Sequence, residues 1–251
     1  MTKRAFVFDV DGVLVNSPHE QAWGDTLADL MAEKWPEMIA KTGYDPKNYT
    51  SDVYQEHVAG KPRRSGAAAL LAYFNIDDPD GAKVEMLCEQ KQDMIVRLIE
   101  EGKFEAFDDA LRFLLRAKAA GAIVGAASSS KNANMLMSRV DLYAFAQKQD
   151  FDCSFVKPGT ALVNIFDADV CGRDFEHGKP HAEIFLTAAQ MLGADPSETV
   201  VIEDAPSGVQ AAKAGDMACI GIARCNDEEL LRAANADWVV TSLDDIDPTS
   251  L

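Results

Sequence analysis

The chain has 251 residues, 47% of them hydrophobic and 26% charged, which excludes a disordered chain, a collagen-like fibre and a disulfide miniprotein. Lys and Arg number 24 against 41 Asp and Glu, a formal charge of −17. A field of that sign argues against nucleic acid and against anionic membrane as partners, so cationic contacts to an anionic ligand have to be placed one by one.

The first apolar run, 5–8 (Ala-Phe-Val-Phe), predicts a short strand ended by Asp9. Asp9 and Asp11 also fall where a signal peptide would continue its apolar stretch, and no run approaches the roughly 18 residues of a membrane helix, so a cytoplasmic location is expected. The stretch 17–105 has no strand pattern. It predicts a helical segment over 17–42, a turn through Gly43-Tyr44-Asp45-Pro46 and three further helical segments. The last of these carries Val84, Leu87, Cys88, Lys91, Ile95, Leu98 and Ile99 at helical spacing and closes at Gly102.

From Phe107 onward, strands and helices alternate. A helix over 109–120, lined by Leu111, Leu114 and Leu115, stops at Gly121, and a strand follows over 122–127. A further strand is predicted over 162–166, then a helix over 181–192 lined by Ile184, Phe185, Ala188 and Leu192 and stopped by Gly193. Strands at 199–202, 218–222 and 237–240, with a helix ending at Gly215, complete the pattern. Alternation of this kind implies an α/β fold: a Rossmann-like parallel sheet with helices on both faces. The expected organisation is a core of 1–16 with 106–251 and an inserted all-helical domain of 17–105. The two crossings, near Asn16-Ser17-Pro18 and Gly102–Phe107, would act as a hinge pair beside the carboxyl end of the sheet, where open α/β folds bind ligands. The five cysteines (Cys88, Cys153, Cys171, Cys219, Cys225) form no CxxC pair, and they are expected to be reduced and mostly buried.

Four strand ends carry residues with chemistry. Asp9-Val10-Asp11-Gly12 places two carboxylates on one side of the chain, with Gly12 permitting a tight turn; an ordinary Asp-Gly turn is the alternative. Ser128-Ser129-Ser130-Lys131-Asn132 gathers hydroxyls and free N–H groups at a strand-to-helix junction, either as an anion site or as a plain helix cap. Gly178-Lys179-Pro180-His181 puts one ammonium above the sheet, with Pro180 suited to a first helical turn; the alternative is a solvated loop lysine. Glu203-Asp204 are adjacent acids at a strand end. They repel unless a cation lies between them, or else they complement a helix dipole. As a set, carboxylates, hydroxyls and a lysine fit Mg²⁺ with a phosphoryl group.

These residues resemble the four motifs of the haloacid dehalogenase superfamily, and the helical insert resembles its smaller cap type. Ser128–Asn132, Gly60-Lys61-Pro62-Arg63 and Glu203-Asp204 with Gly208 resemble the β-phosphoglucomutase-like branch. The resemblance implies that Asp9 is the nucleophile, that Asp11 is the acid and base, and that Ser128 and Lys179 hold the phosphoryl group. It implies a Mg²⁺ site formed or supported by Asp9, the Asp11 carbonyl, Glu203 and Asp204. It further implies substrate contacts from Ser130, Lys131, Asn132, Arg63 and His19, where the segment after Asn16 is two residues shorter than the mutase pattern. The segment 143–163 reads as an insertion before the third strand.

With Asp11 present, the resemblance favours phosphoryl transfer over dehalogenation or phosphonate cleavage. The expected enzyme is a phosphatase of a small sugar phosphate. The alternatives are a phosphohexomutase of the β-phosphoglucomutase type and, from another class, a non-catalytic phosphate-binding or receiver-like regulator, which has similar acids but about half the length and no helical cap. The expected partner is a small phosphorylated metabolite, and the expected state a monomer.

Overall fold

The computed structural model describes residues 4–149, 151 and 154–251. In chain order, β1 (Ala5–Phe8) and β2 (Val15–Asn16) precede five helices, α1 (His19–Glu33), α2 (Pro36–Thr42), α3 (Ser51–His57), α4 (Arg63–Tyr73) and α5 (Ala82–Glu100). Next come β3 (Glu105–Ala106), α6 (Asp108–Ala119), β4 (Ile123–Ala126), α7 (Ala133–Ser138), α8 (Leu142–Lys148) and β5 (Ala168–Asp169). The chain ends with α9 (Glu183–Leu192), β6 (Thr199–Glu203), α10 (Pro206–Ala214), β7 (Ala218–Ile222), α11 (Glu228–Ala233) and β8 (Trp238–Val240). Two compact units result: the residues up to Asn16 with Glu105–Leu251, and Ser17–Phe104.

The first unit is built on a six-stranded sheet of order β5-β4-β1-β6-β7-β8, every pairing parallel. The chain starts in the middle, builds outward to β5, then returns to the other side of β1 at β6. Three strand ends, those of β4, β1 and β6, are therefore neighbours at the place where the winding reverses. All of β1 is buried because both faces are covered. Phe6 and Phe8 meet Phe113 of α6 edge-on, with ring centroids 5.4 and 6.0 Å apart. Val7 joins the opposite cluster with Phe185, Val201 and Val209. Each aromatic pair adds about 0.5–1.5 kcal/mol beyond its area. A short antiparallel pair, β2 with β3, joins the chain's exit from this unit to its re-entry.

The helical unit has its own core, including Trp23, Leu27, Leu30, Leu70, Phe74 and Leu87. On α5 the buried residues are Val84, Leu87, Lys91, Ile95, Leu98 and Ile99, the face expected from the spacing.

Several local expectations are corrected. The segment 17–42 is two helices, because Pro36 starts α2 with Trp35 at its N-cap position. The segment 162–166 is no strand. Leu162–Ile165 forms a 3₁₀ turn that buries Leu162 and Ile165, and the strand is Ala168–Asp169. Asp167 decides this boundary: its N–H donates to the Val124 carbonyl at 2.8 Å and its carboxylate accepts the Val124 N–H at 2.8 Å. Helix α9 begins at Glu183, so Pro180 lies before the first turn and not in it. Within 143–163, α8 continues through Lys148, and residues 150, 152 and 153 lie outside the described residues. Cys153 is among these. Of the four described cysteines, Cys219 is buried, Cys88 and Cys171 are half-buried and Cys225 is exposed, so burial is not the rule expected. Among the described residues, no helix is long and apolar enough to cross a membrane.

Candidate active site

Asp9 follows the last residue of β1 and stays tied to β6 by its N–H, which donates to the Ile202 carbonyl at 3.0 Å. The chain then turns tightly. Gly12 donates to Val15 at 2.8 Å, and Leu14 and Val15 return to the Val10 carbonyl at 2.9 and 3.0 Å. Gly12 has φ +85°, and a Cβ there would run into the Asp204 carboxylate. Glycine is thus required twice over, by backbone conformation and by close approach.

Asp11 comes back beside β4, where Ser128 Oγ donates to Asp11 Oδ2 at 3.1 Å. Ser128 Oγ also accepts the Ser130 N–H at 3.0 Å, and Ser130 Oγ accepts the Asn132 N–H at 3.2 Å. The serines therefore organise the turn before α7 and do not act as a helix cap. Ser128 and Asn132 are buried.

Lys179, from the loop between β5 and α9, is buried with Nζ 2.6 Å from Asp9 Oδ1 and hydrogen-bonded to Glu203 Oε1. The Phe185 ring of α9 lies 4.9 Å from the same nitrogen. Burial works against the ammonium, but the carboxylates of Asp9 and Glu203 outweigh it and hold Lys179 above its usual value. The other oxygen of Glu203 accepts the N–H groups of Asp204 and Ala205 at 3.0 and 3.1 Å. Glu203 is thus engaged at both oxygens. At Gly208 any Cβ would strike its carboxylate, which explains the glycine five residues on.

Asp9, Glu203 and Asp204 offer oxygens that all lie within 4.8 Å of one another. Burial, Lys179 notwithstanding, raises Asp9, and Glu203 and Asp11 add to the effect. Burial followed by repulsion from Glu203 and Asp9 raises Asp204 well above the carboxylate range. One ammonium does not balance these acids. A hard-oxygen donor set with excess negative charge, left open by Gly12, fits a divalent ion such as Mg²⁺.

Six predicted residues, Asp9, Asp11, Ser128, Lys179, Glu203 and Asp204, are thereby brought together. Lys131 is held elsewhere: its Nζ donates to the Gly172 carbonyl at 2.7 Å and to Asp174 Oδ1 at 2.6 Å. Arg63 and His19 belong to the helical unit. Arg63 donates to Gln92 Oε1. His19 Nδ1 is 2.6 Å from Lys91 Nζ, which lies over the Trp23 ring at 5.1 Å.

Sequence reasoning missed Arg224. Its guanidinium donates to the carbonyls of Gly12 and Val13, both at 3.2 Å, and forms a fork to Asp109 at 3.0 and 3.2 Å. It also stacks over Phe107 at 3.9 Å. No motif marked it, because its partners lie 115 and more positions away in the chain.

The haloacid dehalogenase-like hydrolase family matches residues 3–216. A protein of Mycobacterium bovis named β-phosphoglucomutase is 32% identical over 96% of this chain and 90% of its own length. A phosphorylated carbohydrates phosphatase of Thermotoga maritima is 27% identical over 92% of this chain and 91% of its own. The crystal structure of an archaeal β-phosphoglucomutase from a hyper-thermophilic Pyrococcus superposes with a TM-score of 0.66 at 26% identity, covering 96% of this chain and 94% of that one.

Proposed function

Since the chain belongs to the haloacid dehalogenase-like hydrolase family, in its β-phosphoglucomutase-like branch, we propose that it is a Mg²⁺-dependent phosphatase of small sugar phosphates working through an aspartyl-phosphate on Asp9. The observation that carries this reading is the buried Asp9 with Lys179 Nζ at 2.6 Å on one oxygen and the Asp11–Ser128 pair beside it.

In this reading, the Asp9 carboxylate attacks phosphorus in line, and the bond from phosphorus to the sugar oxygen breaks. Asp11 gives that oxygen its proton. Asp11 then takes a proton from water as the water attacks phosphorus, releasing phosphate and restoring Asp9. Lys179 and Ser128 hold the phosphoryl oxygens. Asp9, the Asp11 carbonyl and Asp204 would hold Mg²⁺, with Glu203 bracing Lys179 and the turn. When bound, the ion would supply neutralisation of the negative charge that the carboxylates and the phosphoryl group bring together.

A second reading, transfer to a sugar hydroxyl as in a phosphohexomutase, is favoured by the 32% identity to the M. bovis protein. Hydrolysis is preferred because the segment after Asn16 is two residues shorter than the mutase pattern, and because Lys131, which with Ser130, Asn132 and Arg63 would clamp a distal phosphate, instead donates to Gly172 and the exposed Asp174. The test is a panel of hexose and pentose monophosphates, read for both free phosphate and isomerised product, with and without a trace of hexose bisphosphate. Phosphate release without isomer supports the phosphatase. Isomer formed faster than phosphate is released would replace it by the mutase. Asp9→Asn is expected to stay folded and lose turnover by several orders of magnitude; undiminished turnover would sink the covalent mechanism.

A further inference from the structure

The loop that delivers Lys179 carries a second cluster of ligand groups. Lys179 is buried, but His177 and His181 on either side of it are exposed, and Glu183 opens α9 beside them. The two imidazoles stack with centroids 4.5 Å apart and an interplanar angle of 30°. One ligand atom from each of His177, His181 and Glu183 falls within 4.8 Å of the other two. We propose that His177, His181 and Glu183 form a divalent transition-metal site of the zinc class, separate from the acidic cluster at Asp9.

Three features support the assignment. The donor set is two imidazoles and one carboxylate. Imidazole suits Zn²⁺, Ni²⁺ or Cu²⁺, whereas the all-oxygen cluster at Asp9 suits Mg²⁺, so the two sites sort metals by chemistry. Three protein ligands leave one tetrahedral position for water or a further donor.

The carboxylate is also held in place before any ion arrives. Glu183 Oε1 accepts the Glu176 N–H at 3.3 Å and Oε2 the His177 N–H at 2.8 Å, and each oxygen keeps a lone pair for an ion. Both imidazoles already converge on the same residue: His177 Nδ1 lies 3.6 Å from Glu183 Oε2, and His181 Nδ1 accepts the Glu183 N–H.

Third, the adjustment required is small. Donors on tetrahedral zinc at about 2.0–2.1 Å stand roughly 3.3 Å apart, a contraction that rotation of exposed side chains supplies. The main contact to give way is the Glu183 N–H donating to His181 Nδ1 at 3.2 Å. An ion bound here would tie together the two ends of the loop that carries Lys179.

The test is calorimetric titration of the intact protein with zinc chloride in excess Mg²⁺, which fills the acidic cluster. Wild type should bind one equivalent of zinc. His177→Ala and His181→Ala should each weaken that affinity at least about 10-fold, and zinc should raise the melting temperature of wild type but not of the double variant. His177→Gln, which keeps a polar side chain of similar reach, should behave like His177→Ala. Wild-type zinc affinity in the double variant, no zinc binding in excess Mg²⁺, or loss of binding only on Cys225→Ser would each overturn the assignment.

Discussion

Arg224→Ala tests whether the turn after Asp11 is held from outside the motif. The substitution removes hydrogen bonds to the Gly12 and Val13 carbonyls and a two-bond fork to Asp109, and leaves that carboxylate with the Leu243 N–H at 2.9 Å. Breaking a buried ion pair from one side costs about 3–5 kcal/mol. Here the side chains of Arg224 and Asp109 retain 13% and 11% exposure, which places the cost near the lower end, about 3 kcal/mol. With a urea dependence of about 3 kcal/mol per M, the midpoint should fall by about 1 M. A double-mutant cycle with Asp109→Ala should return a coupling of about 2 kcal/mol, since the two side chains share one network. Arg224→Lys keeps the charge but not the fork, so it should recover less than half of the loss. Release of the Gly12 and Val13 carbonyls lets Asp11 shift, and a displacement near 1 Å should lower kcat about 100-fold. A midpoint change below about 0.3 M with additive single variants would refute this reasoning.

Mg²⁺ should raise the melting temperature by relieving repulsion among Asp9, Glu203 and Asp204, and chelation should abolish turnover; full activity in excess EDTA would remove the metal from the reaction. Gly12→Ala should weaken Mg²⁺ binding at least about 10-fold, because its Cβ takes the place of the Asp204 carboxylate at a residue already at φ +85°; unchanged Mg²⁺ affinity by titration would contradict the packing. Lys179→Met should bring metal-free stability down, because Asp9 and Glu203 lose their ammonium and Glu203 also loses one of its three hydrogen bonds. Mg²⁺ should restore a larger share of stability in that variant than in wild type, as read by thermal melts with and without the ion.

Much of the architecture was legible locally. Ala5–Phe8 and Ala218–Ile222 are short apolar runs, Leu111–Leu115 and the α5 face repeat at helical period, and glycines stop both. Asp9, Asp11, Ser128, Glu203 and Asp204 were legible for the same reason, because they stand at or just past the ends of strands that the apolar pattern marks, and Lys179 because it lies in the loop before the helical pattern of α9. What local pattern did not carry was decided by long-range contact. Leu162–Ile165 is as apolar as a strand, yet it turns because Asp167 takes both backbone groups of Val124 and starts the ladder further on. The resemblance implies a substrate contact for Lys131, and only the tertiary structure shows it donating to Gly172 and Asp174. Arg224 carries no motif, and its role exists only because α6 and the turn after Asp11 meet it in space. Periodicity and turn chemistry act over a few residues and are written into the chain. Which carboxylate an ammonium or guanidinium meets depends on the order in which parallel strands assemble, and that order is settled only when the sheet winds outward from β1 to β5 and back to β6.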